Sequence, residues 1–167
     1  MARSGAWALR RDRVEWPDGA VDEHTVFEGP QAVVMVPVFE DGDTILVRQW
    51  RHAWSSSSWE APAGTLRLGE EALAGAQREL GEEAGLRAAD WTPLGTARGT
   101  AMSSVLFHAF LARGLARVDR SPEPSERDML VRELPLNQAL DEALNGGIVH
   151  APSITAICRA ARVLRLI

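Results

Sequence analysis

The sequence predicts a single α/β domain, and three observations carry that reading. Val33–Phe39 (VVMVPVF) is an almost unbroken apolar and β-branched run, the pattern of a strand buried on both faces. From Glu70 to about Ala84 there is no proline and no β-branched residue, and good helix formers dominate, which marks a helix. Two further patterns of helical period, Leu136–Leu144 and Ser153–Leu166, close the chain. At 167 residues the whole chain, 1–167, fits one domain with a sizeable core.

In chain order, residues 7–28 read as an N-terminal β-hairpin. A short strand leads to Pro17-Asp18-Gly19, where Pro presets φ and Gly accepts positive φ, and a second strand lies around His24–Phe27. Trp7 and Trp16 flank this unit, and its apolar residues (Val21, Val26, Phe27) need a surface to cover. Val33–Phe39 turns at Glu40–Asp43 and returns as a strand over Thr44–Gln49, followed by Arg48-Gln49-Trp50-Arg51. Ser55–Ser58 reads as a mobile polar tip, and Trp59-Glu60-Ala61-Pro62-Ala63-Gly64 leads to the helix. Gly85 stands where that helix would stop in a left-handed cap.

Two strands are expected beyond it, at Trp91–Gly99 and Val105–Leu111. A charged loop (117–128), a strand at Met129–Leu134 and the two closing helices follow. Leu136, Leu140, Ala143 and Leu144 on the first helix face inward, as do Ile154, Ile157, Ala161 and Leu164 on the second. Arg159, Arg162 and Arg165 form a solvated stripe. Cys158 lies on the apolar face, where it reads as core. With one cysteine there is no internal disulfide, and the expected compartment is a reducing cytoplasm.

Composition narrows the function. The net charge is −5, which disfavours a nucleic acid polymer as partner. No apolar run approaches 18 residues, so no membrane span is expected, and the N-terminus has no secretion-signal pattern. All basic residues are arginine, so any cationic contact to phosphate comes from Arg.

The chemistry concentrates in Gly64–Leu86, GTLRLGEEALAGAQRELGEEAGL. Glu79, Glu82 and Glu83 fall at i, i+3 and i+4 and share one helical face, beside an apolar stripe of Leu73, Ala76, Leu80 and Ala84. Like charges at that spacing repel, and hard oxygens grouped this way suit Mg²⁺ or Mn²⁺. Arg78 is placed to orient a carboxylate, and Glu70 to hold Arg78. Three glutamates alone are an ordinary solvated face. The full spacing is not: nine such fixed positions arise by chance in a chain this long with probability on the order of 10⁻⁷.

That spacing resembles, without exception, the signature of the Nudix hydrolases: glycine, five residues, Glu, seven residues, Arg-Glu-aliphatic, one residue, Glu-Glu, one residue, Gly-aliphatic. The resemblance implies an α/β/α sandwich with a mixed sheet. It also implies metal-dependent attack of water on a nucleoside diphosphate linked to another moiety. Glu79, Glu82 and Glu83 would be metal ligands, with Arg78 and Glu70 completing the catalytic helix. Arg48–Arg51 and Glu60–Gly64 further resemble the ADP-ribose and ADP-sugar pyrophosphatase branch. There the Ala63 carbonyl would bind metal, Arg51 and Glu60 would touch substrate, and Trp7 would stack adenine.

In the same branch a loop glutamate activates water, which points to Glu126 or Glu123, with Glu82 as the rival base. Members of this type are usually homodimers that swap N-terminal hairpins, which would bring Trp7 to the partner's site. The connection 100–104 lacks the Pro-Gly and acidic residue common in the branch, which leaves the distal substrate contacts open. The expected substrate is ADP-ribose or a related ADP-sugar. The alternatives are a nucleoside triphosphate, GDP-sugar or dinucleoside polyphosphate, or a nucleotide-sensing Nudix module without turnover.

Overall fold

The computed structural model describes residues 2–121 and 128–167. The N-terminal unit is a three-stranded antiparallel sheet, β1 (Ala2–Ser4), β2 (Trp7–Glu15) and β3 (Val21–Glu28). The expected turn is there: Gly19 takes φ 83°, and the Gly19 amide donates to the Trp16 carbonyl at 2.9 Å. The short β1 is an addition to the hairpin foreseen, paired on β2 through Ala2 and Leu9. This unit is tied to the rest by main-chain bonds across the 100–104 connection: Phe27 N–H donates to Met102 O, and Ser104 N–H to Phe27 O.

The rest of the chain is built on two sheets. β4 (Ala32–Pro37) lies between β7 (Ala63–Thr65) and β9 (Phe107–Arg117), with β8 (Leu86–Ala97) outside β9. The β4–β9 pair is parallel and the other pairs antiparallel, so this sheet is mixed. The second sheet has the order β10 (Leu130–Pro135), β5 (Asp43–Arg51), β6 (Ser56–Glu60).

Alternation along β4 separates two cores. Val34 and Val36 pack with Leu140, Ala143, Ile157 and Ala161 from α2 (Leu136–Leu144) and α3 (Ala151–Val163). Val33 and Met35 pack on the other face with Ala76, Leu80 and Ala84, from α1 (Ala72–Glu79) and the π-helical turn Leu80–Ala84 that continues it. Each fully buried Leu, Ile or Val here contributes roughly 1.5–3 kcal/mol. Helices on both faces of the β4 sheet make this the expected α/β/α sandwich.

Four expectations need correction. Ser56–Ser58 belong to β6, because pairing with β5 supplies the hydrogen bonds that a polar tip would take from water; only Ser55, at φ 49°, turns. Leu73 and Leu144 are exposed rather than inward. Arg159 is not merely solvated: its guanidinium donates to the carbonyls of Leu94 and Thr96 and ties α3 to β8. The helix that carries Glu79, Glu82 and Glu83 is not α-helical to its end. Its last five residues form a π turn, closed by Gly85 at φ 65° as expected.

Candidate active site

The rotation of α1 explains the site. Its buried positions are Gly75, Ala76 and Glu79, followed in the π turn by Leu80, Glu83 and Ala84. Gly75 is small because Leu66 packs where a side chain would be: a Cβ there would meet Leu66 Cδ2 at 2.2 Å. That close approach turns Leu73 outward and carries two carboxylates toward the sheet. Glu79 is 6% exposed and Glu83 1%.

Each buried acid meets the β7 strand. Glu83 Oε2 accepts the Ala63 N–H at 2.9 Å. The Glu79 carboxylate lies where a Gly64 side chain would be, 1.9 Å from the position of its Cβ. Arg78 serves as the common counterion. Its guanidinium reaches Glu70, Glu79 and Glu82, each at 2.8 Å, and donates to Thr65 O at 3.1 Å. The hydrogen bonds from Arg78 hold the Glu70 carboxyl down at about 2, against burial that opposes the shift. Those same acids, Glu70 first, keep Arg78 charged above its usual range. Glu82 is further approached by Arg67 at 3.5 Å.

Three carboxylates thus meet at Arg78, Glu83 is buried separately against Ala63, and burial of unneutralised charge is costly. Among the described residues no three acidic, His or Cys side chains stand together as a ready ligand set, since Glu82 is turned to Arg78 and Arg67. The donors around Ala63 and Gly64 are nonetheless all hard oxygens, the set that suits a small divalent cation. Glu126 and Glu123 lie outside the described residues. The described stems of their loop both border the box: Val118 N–H donates to Gly85 O at 2.8 Å, and Met129 is packed with Leu80 and Ala84.

A cleft of about 350 Å³ opens beside this cluster, lined by Ala63, Gly64 and Thr65 at one end, with Trp7, Arg51, Phe107 and His150 elsewhere in the lining. Trp7 therefore stands in the cleft of its own chain. Its ring stacks on Phe27 at 5.1 Å and covers Gly29, where a Cβ would overlap it. Glu60 departs from expectation: it is fully buried, so no open face remains for substrate. It holds Arg51 instead, with Arg51 Nε donating to Glu60 Oε1 at 2.9 Å. A larger groove of about 850 Å³, around Phe39, Asp43 and Arg113, contains none of the box residues.

Nothing in the sequence marks His150 or Ser153 as site residues, since a lone His before a helix gives no ligand spacing. The ring of His150 has Nδ1 2.8 Å from Ser153 Oγ and 3.1 Å from Glu60 Oε2. Burial lowers its pKa to about 4, with Glu60 opposing and Arg51 adding to the fall, so the ring is neutral near pH 7. A buried glutamate in β6 was the only signal that such a partner was needed.

Comparison with known proteins agrees with this geometry. Residues 29–155 match the NUDIX domain model. The chain is 38% identical, over 90% of its length and 74% of the relative's, to an ADP-ribose pyrophosphatase of Mycobacterium tuberculosis. It is 27% identical, over 89% of its length and 82% of the relative's, to a methanol dehydrogenase activator of Bacillus methanolicus. A crystal structure of an ADP compounds hydrolase superposes with a TM-score of 0.85 at 22% identity, covering 99% of this chain and 90% of that one.

Proposed function

The chain belongs to the Nudix family, and from that premise we propose that it hydrolyses the pyrophosphate of ADP-ribose or a related ADP-sugar to AMP and a sugar phosphate. The observation that carries this reading is the shared cleft. Ala63 and Gly64, against which the buried box acids pack, line the same cavity as Trp7 and Arg51, so groups suited to a diphosphate and to a nucleoside face one space. The 38% identical relative is an ADP-ribose pyrophosphatase.

Glu79, Glu82, Glu83 and the Ala63 carbonyl would hold divalent cations, Mg²⁺ or Mn²⁺. Bound there, such a cation supplies neutralisation of phosphate charge and orientation of the attacking water. The chain's own residues do the rest. Arg78, fixed by Glu70, keeps Glu79 and Glu82 from drifting apart under repulsion. Trp7 stacks the adenine, and Arg51, oriented by Glu60, meets phosphate or ribose. Glu126 takes the water proton, and the position of its loop stems beside the box supports that role. Glu82, already engaged by two arginines, is the less available base.

The protein acts as a homodimer in this reading. Leu9, Trp16, Val21 and Phe27 remain more than 40% exposed on the N-terminal sheet, and closed two-fold pairing would cover them.

The test is AMP release from ADP-ribose with Mg²⁺, repeated with a chelator. Turnover that the chelator abolishes is expected. A nucleoside triphosphate cleaved in preference, or no cleavage of any diphosphate, would overturn the substrate assignment. The 27% identical relative that activates another enzyme keeps a sensing role in view, and the complete set of box carboxylates favours turnover.

A further inference from the structure

We propose that His150 reads the base of the bound nucleotide, its Nε2 accepting a hydrogen bond from an exocyclic amino group and so favouring adenine over a 6-oxo purine. This rests on the nucleoside diphosphate reading above and adds the residue that selects the base.

Glu60 anchors the arrangement. Its carboxylate is fully buried and shared by Arg51 and the His150 ring. A neutral imidazole carries one N–H, and which nitrogen bears it follows from the partners. If Nδ1 were bare, its lone pair would lie 3.1 Å from a carboxylate oxygen, two acceptors facing each other where little solvent can screen them. The proton therefore sits on Nδ1, between Glu60 Oε2 and Ser153 Oγ. Ser153 is fixed in turn, since its Oγ accepts the Ala61 N–H at 2.9 Å and its side chain has no exposed surface.

Nε2 is left as an acceptor, and it has no hydrogen-bond partner among the described residues. The ring lines the cleft that Trp7 also lines. Phe107 meets the imidazole edge-on at 5.9 Å and Trp54 lies at 6.3 Å, so the ring is held by its neighbours. A fixed acceptor in an aromatic-lined cleft recognises an N–H donor on a stacked base. The 6-oxo group of hypoxanthine would face it lone pair to lone pair. Reversing the tautomer to accommodate that base would turn a bare Nδ1 toward Glu60 Oε2 and leave the carboxylate to Arg51 alone, which opposes the switch. The low pKa of His150 agrees, because a protonated ring would donate rather than accept.

The test uses the full-length protein and His150→Asn, whose amide can still donate to Glu60 but places nothing at the Nε2 position. Steady-state kinetics are compared for ADP-ribose and its hypoxanthine analogue. Wild type should favour ADP-ribose by about tenfold in kcat/KM, the order expected of one hydrogen bond and an avoided clash. In His150→Asn that ratio should fall toward one through a raised KM for ADP-ribose. A merely structural histidine would lower both substrates alike and leave the ratio standing, which would overturn the proposal. Should the variant not fold, calorimetric binding of AMP and IMP to wild type decides the matter, and equal affinities refute the base contact. Wild-type cleavage of both substrates at the same rate refutes the proposal while leaving the hydrolase reading intact. Absence of any ADP-ribose cleavage removes both.

Discussion

Gly64→Ala should disable the enzyme without a strained backbone, because its added methyl would fall on the Glu79 carboxylate. A Cβ at Gly64 would stand 1.9 Å from Glu79 Cδ, 2.1 Å from Oε1 and 2.3 Å from Oε2. Ordinary carbon contact needs about 3.5 Å, so the carboxylate must retreat by roughly 1.5 Å. Glu79 is 6% exposed and tied to Arg78 at 2.8 Å, which leaves it little room. Misplacing a group at a reaction centre by about 1 Å can cost on the order of 10²-fold, so kcat for ADP-ribose should fall at least that far. Overpacking should cost about 1–3 kcal/mol of stability, and for a chain of this size each 1 kcal/mol lowers the melting midpoint by about 2–4 °C. AMP release and a thermal melt read the two effects. Gly42→Ala is the control: Gly42 sits at φ 91° with open space around it, so alanine there strains the backbone and touches no part of the site. A Gly64→Ala enzyme with kcat within threefold of wild type would refute the reasoning, since the methyl cannot be seated while Glu79 stays where it is.

Four other outcomes are expected. Glu79→Gln or Glu83→Gln should reduce turnover by about 10³-fold or more at saturating Mg²⁺ while circular dichroism stays unchanged, because the amide keeps the shape and removes the charge; near-normal activity contradicts the ligand assignment. Glu126→Gln should cut kcat by about 10²-fold with little change in KM, whereas Glu82→Gln should raise the Mg²⁺ requirement; if Glu126→Gln and Glu123→Gln are both silent, Glu82 is the base. Glu70 has a folded pKa of about 2 against an ordinary 4.5, so its contribution is complete above pH 4.5 and disappears as pH falls toward 2. Glu70→Gln should therefore lose about 2 kcal/mol in urea melts at pH 7, with the gap to wild type closing across that window; a gap independent of pH would show that the ion pair is not its source. Deleting residues 1–28 should abolish the dimer and raise KM for ADP-ribose, since Trp7 leaves the cleft with them; a full-length monomer by sedimentation at micromolar concentration would remove the first half of that expectation.

Elements whose cause is local were legible from the chain. Helix α2 occupies Leu136–Leu144 as its period requires, Gly85 caps the catalytic helix in the left-handed region, and Pro17-Asp18-Gly19 makes the hairpin turn. Elements whose cause is a distant partner were not. Ser56–Ser58 have no strand-like composition, and only the edge of β5 makes them a strand. Leu73 faces outward for a related reason: a period locates a stripe, but the gap left by Gly75 for Leu66 decides how the helix sits.

The same logic applies to the cleft. Glu60 and His150 are 90 positions apart, and nothing near either residue signals the other. Yet a glutamate in a strand that faces a core must find a cation or a donor, because an unpaired buried carboxylate is too costly to keep. Arg51 answers half of that need from the far end of the β5–β6 ladder, where it is paired with Ser56 while Glu60 is paired with Val47. The other half comes from the first turn of α3, across the core. A buried acid is thus a sequence-level question whose answer lies in tertiary structure, and here the answer is a histidine lining the cleft.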